Sequence, residues 1–147
     1  MNAGWTIERQ EINAADGATG APGDITIYKD GAIFKAIEVT ERPIDGSRVD
    51  STFSTKITLN NAAEYLFVYT NDLPRENALE RAKAYFAQGY NINFASITDL
   101  TIHILLSGDE AFRTAYNERM FELFNAQDVQ ATIKVAWNDA LTEAMQA

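Results

Sequence analysis

Two carboxylates stand out by their setting. Asp24 follows Gly23 and opens a short alternating run with Ile25 and Ile27, and Glu38 lies between Ile37 and Val39 in the β-rich run Ala32 to Thr40. Between them, Lys29-Asp30-Gly31 reads as a turn, because Asp-Gly tolerates positive φ at both central positions of a type I′ hairpin turn. An antiparallel pair centred there puts the partner of Asp24 near position 37, within one residue of Glu38. Opposed side chains on one face of such a pair are about 4.5–5.5 Å apart. Carboxylates that close repel, and one is driven towards protonation unless a cation lies between them. Mg2+ is the natural occupant, since it takes hard oxygen ligands, needs only one or two carboxylates and keeps waters for a phosphate. The bland alternative is that Asp24 ends a loop and Glu38 faces solvent on an edge strand.

Other residues with chemical potential have plain readings beside the functional one. Arg42, Arg48 and Lys56 follow the acidic strand and are candidate phosphate contacts, or else a solvated helix face. The only histidine, His103, sits between Ile102 and Ile104 and reads as a packed or partly exposed residue before a base. Glu8 and Glu11 are candidate extra ligands, with outward-facing charge the simpler account. Trp5 and Trp137 read as core or subunit-contact residues.

The elements that must position these residues follow from periodicity. Trp5 to Ile12 alternates loosely and fits a strand or a short helix end; Asn13 to Gly23, rich in Gly and Ala, reads as a loop, either flexible or functional. Asp24 to Tyr28 and Ala32 to Thr40 form the hairpin, and Pro43 stops it. Gly46 to Leu59 shows Val49, Phe53 and Ile57 at spacings of four, one face of a helix capped by Asp45 or Ser47. Glu64 to Thr70 is nearly continuous in apolar residues, as in a strand buried on both faces. Pro74 then opens a helix, Arg75 to Gln88, with Gly89 as its stop. Tyr90 to Ala95 is a further strand. Ser96 to Asp99 has the shape of a capping box before Leu100 to Leu106, which Gly108 ends. Asp109 to Asn125 and Asp128 to Ala144 are helices, the first with Phe112, Tyr116, Met120 and Leu123 on its apolar side. Strands alternating with helices imply an α/β fold: a mixed sheet with right-handed crossovers, flanked by helices, with a C-terminal helical segment.

Composition bounds the rest. A chain of 147 residues with 46% hydrophobic and 22% charged content is expected to fold as a single domain, either complete or the catalytic piece of a longer chain. Without cysteine there is no disulfide and no thiolate metal site, which makes the cytoplasm the expected compartment. No signal peptide is apparent, and no apolar run approaches a membrane span. The net charge of -9 argues against a broad nucleic-acid footprint. The balance is uneven: residues 1–60 carry six basic and nine acidic side chains, residues 61–147 six and twelve. An anionic partner therefore fits the first part better.

With these residues in view, the chain resembles the PD-(D/E)xK nuclease superfamily, in particular its type II restriction endonuclease members. Gly23-Asp24-Ile25, a hairpin, and then Ile37-Glu38-Val39-Thr40-Glu41-Arg42-Pro43 carry the resemblance, which extends loosely through Glu64 to Thr70, Gly89 to Phe94 and Ser96 to Leu106. The motif itself is short and degenerate. The resemblance implies that Asp24 and Glu38, with the carbonyl of Val39, hold Mg2+ (Mn2+ as a substitute). The ion would polarise a scissile phosphate and acidify an attacking water. It also implies a lysine two positions after the second acid, and here that position is Thr40.

Three explanations compete for this departure. The lysine has migrated, with Lys56 the candidate and Lys35 ranked lower because three steps from Glu38 along a strand reach the opposite face. Alternatively Thr40 suffices with a second water or metal. The third is a catalytically silent relative kept for DNA recognition or assembly. The expectation is a Mg2+-dependent endonuclease acting on double-stranded DNA, as a homodimer, with the silent module as its rival. A third rival, an acidic mimic of DNA, would need an ordered row of carboxylates, which the scattered acids do not provide.

Overall fold

The computed structural model describes residues 4–9, 21–126 and 129–146. By their internal contacts residues 1–101 and 102–147 form two compact units.

The first unit is built on a five-stranded sheet in the order β1 (Trp5–Arg9), β2 (Ile25–Lys29), β3 (Ala32–Thr40), β4 (Glu64–Tyr69), β5 (Asn91–Ser96). The first three strands are antiparallel and the last three parallel, so the sheet is mixed as expected. The β2–β3 connection is the Asp30-Gly31 turn, with φ of 52° and 81° at its two central residues. Both values lie in the left-handed region that a type I′ turn requires. The register pairs Ile25 with Ile37 and Thr26 with Ala36 before a bulge at Ile27/Tyr28. Strand β1 covers only part of the run from Trp5 to Ile12. Ile12, Glu11 and the segment 13–20 of the expected loop lie outside the described residues, whereas its last two residues, Pro22 and Gly23, are buried.

Alternation along β3 turns Ala36, Glu38 and Thr40 to the buried side. The parallel register brings Tyr65, Phe67 and Ile92 onto the same side. These apolar groups meet Ile44, Val49, Ile57, Ala78 and Ala82 in one core. Burial of each large side chain there contributes about 1.5–3 kcal/mol. The helical layer over this core is α1 (Gly46–Thr52), a π-helical segment (Phe53–Ile57), α2 (Thr58–Asn60) and α3 (Glu76–Phe86).

The expected single α-helix from Gly46 to Leu59 is thus corrected: its middle is a π turn. The Thr58 N–H donates five residues back to the Phe53 carbonyl, and the Thr58 hydroxyl donates to the same oxygen. A π turn widens the helix by one residue, a feature common where a side chain must be re-aimed. Phe53 stacks on Tyr85 at 3.7 Å between ring centroids, tying the segment to α3. Asp45 caps α1 by accepting from the Arg48 N–H at 3.0 Å, and Ser47 donates to the same carboxylate at 2.8 Å. Gly89, at φ 93°, follows α3 where a stop was expected.

Strand β5 runs directly into α4 (Ile97–Ser107), where Ser96 Oγ accepts from the Asp99 N–H at 3.0 Å. Residues 102–147 comprise the rest of α4 with α5 (Glu110–Ala126) and α6 (Ala131–Gln146). Within this unit Phe124 meets Trp137 edge to face at 5.6 Å. His103 is exposed. No helix among the described residues is long and apolar enough to cross a membrane.

Candidate active site

The end of β3, the residues before β2 and the helical segment 46–60 enclose an open cleft of about 950 Å³. Asp24, Glu38, Val39, Thr40, Arg42, Arg48 and Lys56 all border it. Seven sequence-derived candidates therefore converge on one place.

Asp24 is held there by backbone. It precedes β2, whose pairing of Ile25 with Ile37 leaves Asp24 opposite Glu38. Its Oδ2 accepts the Val39 N–H at 2.7 Å, which anchors the carboxylate to the strand bearing the other acid. Gly23 permits this approach. A β-carbon there would lie 2.6 Å from the Ile37 carbonyl oxygen, too close for any side chain without a backbone shift.

Glu38 is the most heavily engaged carboxylate in the cleft. It is 7% exposed. Its Oε1 accepts from Arg48 Nη2 at 2.6 Å, and its Oε2 from Lys56 Nζ at 2.9 Å and from the Tyr65 hydroxyl at 2.7 Å. Burial is the largest single influence on this carboxyl and pushes its pKa up; the hydrogen bonds from Arg48, Lys56 and Tyr65 together outweigh it and hold the group below the ordinary value. Glu38 is therefore a carboxylate at neutral pH.

Sequence reasoning missed Tyr65. Its phenol is buried, 2.7 Å from Glu38 Oε2 and 3.0 Å from the Pro22 carbonyl, so it spans the segment leading to Asp24 and the second acid. Burial first, and then the negative charges of Glu38 and Asp24, push its pKa far up, so it remains a proton donor throughout. The signal was present in the sequence. A tyrosine within an otherwise apolar buried strand needs a partner for its hydroxyl.

Lys56 reaches Glu38 from the π segment, although eighteen positions separate the two. Lys35 lies on β3 at the opposite parity to Glu38, with its ammonium over the Phe34 ring at 6.0 Å. At the position where the resemblance implies a lysine, Thr40 is 7% exposed and its Oγ1 accepts the Arg42 N–H at 3.1 Å. That bond holds the bend that follows β3. Arg42 itself is exposed at the cleft border, as is Arg75, which the sequence did not single out. Glu8 points elsewhere: its Oε2 accepts from the Tyr28 hydroxyl at 2.9 Å.

The donor chemistry suits a hard divalent cation. Asp24 and Glu38 both border one open cleft, and Mg2+ characteristically takes one or two carboxylates and fills its remaining positions with water. Among the described residues no cluster of three or more His, Cys, Asp or Glu is assembled, so they do not provide an all-protein cage.

Residues 1–71 match the family model of the SacI restriction endonuclease C-terminal domain. The matched part runs through β4, which includes both acids, Lys56 and Tyr65. It supports a restriction-endonuclease-like relationship and a nuclease-type function. No match is found among curated proteins.

Proposed function

We propose that this chain is a Mg2+-dependent endodeoxyribonuclease of restriction type that hydrolyses phosphodiester bonds of double-stranded DNA. One observation carries the reading: Asp24, Glu38 and Lys56 converge on a single open cleft. The family match over residues 1–71 supports the reaction class.

In this reading Asp24 and Glu38, with the Val39 carbonyl, hold the ion, and Mn2+ can replace it. The chemistry such an ion supplies is polarisation of the phosphate and acidification of the attacking water. Lys56 would orient that water and stabilise the charge that develops at phosphorus, the role the resemblance assigns to a lysine elsewhere in the chain. Tyr65 would keep the two acids in register. Arg42 and Arg48 would bind backbone phosphates and so hold the scissile bond in line. Thr40 would brace the strand end without taking part in proton transfer. Cutting both strands would call for a homodimer with two such clefts.

A second reading, a catalytically silent module of the same fold serving DNA recognition or assembly, is favoured by the engagement of Glu38 by two cations and a phenol. The deciding experiment treats plasmid and genomic DNA with the parent protein, Asp24→Asn and Glu38→Gln, with Mg2+ or Mn2+. The expected result is metal-dependent cleavage by the parent that falls at least about a hundredfold in each variant. Cleavage surviving both substitutions would remove the site from consideration. An inactive parent that also binds no divalent ion would establish the silent module instead.

A further inference from the structure

Glu38 is held in an asymmetric way. Among the described residues Oε2 has two partners, Lys56 at 2.9 Å and the buried hydroxyl of Tyr65 at 2.7 Å, whereas Oε1 has only Arg48, at 2.6 Å. The Tyr65 side chain is 1% exposed and fixed in the core of the sheet, so it cannot withdraw. Arg48 stands differently. It lies in the first turns of α1, bordering the open cleft, with the exposed hydroxyl residues Ser47 and Ser51 and the exposed cations Arg42 and Arg75 on the same border. Releasing Arg48 alone would uncover one whole carboxylate oxygen. Releasing Lys56 would leave its oxygen still bonded to Tyr65.

Charge balance points the same way. Asp24 and Glu38 bring two negative charges and Arg48 and Lys56 two positive ones, so the four groups are neutral as a set. A divalent ion added to that set gains no net Coulombic attraction until one cation leaves. Both cations border the cleft, but Arg48 is the one whose departure frees a whole oxygen, and the cleft it would swing into is the one a phosphate would enter.

We infer that Arg48 is an internal counter-ion that competes with the divalent ion for Glu38 and passes to a DNA phosphate when the ion binds, so that metal and DNA bind with positive coupling. This rests on the assignment of the metal to Asp24 and Glu38. Displacing Arg48 costs binding energy when metal arrives alone. The displaced guanidinium recovers a partner when phosphate is present, and by linkage each ligand then strengthens the other by the same factor.

The test is calorimetric titration of Mn2+ and of Ca2+ into the whole chain without DNA, for the parent, Arg48→Gln, Arg48→Met and Asp24→Asn. Arg48→Gln keeps a hydrogen-bond donor while dropping the charge, and thermal melting confirms that at least one Arg48 variant is folded. Both Arg48 variants are expected to bind the ion tighter than the parent, on the order of tenfold. Binding of a short duplex, measured with and without Ca2+, is expected to tighten with the ion in the parent and to lose that coupling in the Arg48 variants. Arg48 variants that bind metal no tighter than a metal-binding parent would overturn the inference while leaving the site intact. Absence of metal binding in the parent and in every Arg48 variant, or binding that Asp24→Asn does not weaken, would overturn the metal assignment itself.

Discussion

Lys56 Nζ lies 2.9 Å from Glu38 Oε2, brought there by the π turn that interrupts the helix over the sheet. In a regular α-helix each residue advances about 100° around the axis, and an inserted π turn re-aims every side chain that follows it. Replacing Lys56 by Ala is expected to reduce metal-dependent cleavage by about a hundred- to a thousandfold, the usual loss for one charge-stabilising group. Turnover of plasmid DNA at saturating metal measures it. Full activity of the variant would remove Lys56 from the chemistry.

Gly23 has a steric reason to be glycine. The 2.6 Å approach that its β-carbon would make to the Ile37 carbonyl oxygen is against backbone, which cannot move aside cheaply. Gly23→Ala is expected to destabilise the fold by about 1–3 kcal/mol, as overpacking does. Chemical denaturation gives the number, and divalent-ion titration should report weaker binding because Asp24 is pushed away from β3. An unchanged unfolding midpoint would contradict the close approach.

Tyr65→Phe removes one oxygen from a buried site and leaves the ring in place. A hydrogen bond to a charged group contributes about 1.5–3 kcal/mol, and that loss is expected in equilibrium unfolding at neutral pH. Since the same hydroxyl lies 3.0 Å from the Pro22 carbonyl, the segment before Asp24 should also exchange its amide hydrogens faster. A variant as stable as the parent would mean that Tyr65 is only a packing residue.

The depressed pKa of Glu38 sets a pH window. The unfolded carboxyl titrates near 4.5 and the folded one lower, so the unfolded chain binds more protons on the way down. The stability Glu38 contributes is complete above its unfolded pKa and is lost as pH falls through the folded value. Melting temperatures measured between about pH 7 and about pH 3 should therefore decline more steeply in the parent than in Glu38→Gln, which has no charge to lose. Equal slopes for the two proteins would show that this carboxylate contributes nothing to acid sensitivity.

Much of the site was legible because its local rules are short-range. Asp30-Gly31 marks a tight turn, and counting from it places Asp24 opposite position 37, one residue short of Glu38. The bulge at Ile27/Tyr28, which no local rule located, shifts the register by one and sets Asp24 opposite Glu38. Alternation along Ala32 to Thr40 likewise told which residues share a face with Glu38, and it ranked Lys35 below Lys56 for that reason. The polar cap at Asp45 and the stops at Gly89 and Gly108 are similarly local. What connects positions far apart in the chain was decided by packing. The π turn falls where Val49 and Ile57 enter the core and Phe53 packs against it, and a spacing of four residues cannot by itself reveal where the helix widens. Tyr65 finds Glu38 only because β3 and β4 pair in parallel, and Arg48 takes Oε1 only because α1 is laid along the cleft by its contacts with α3. The sequence by itself brought the two acids to within one residue of each other across the hairpin. Tertiary structure alone decided which cations and which hydroxyl hold the second of them, because those partners come from elements that local spacing does not relate.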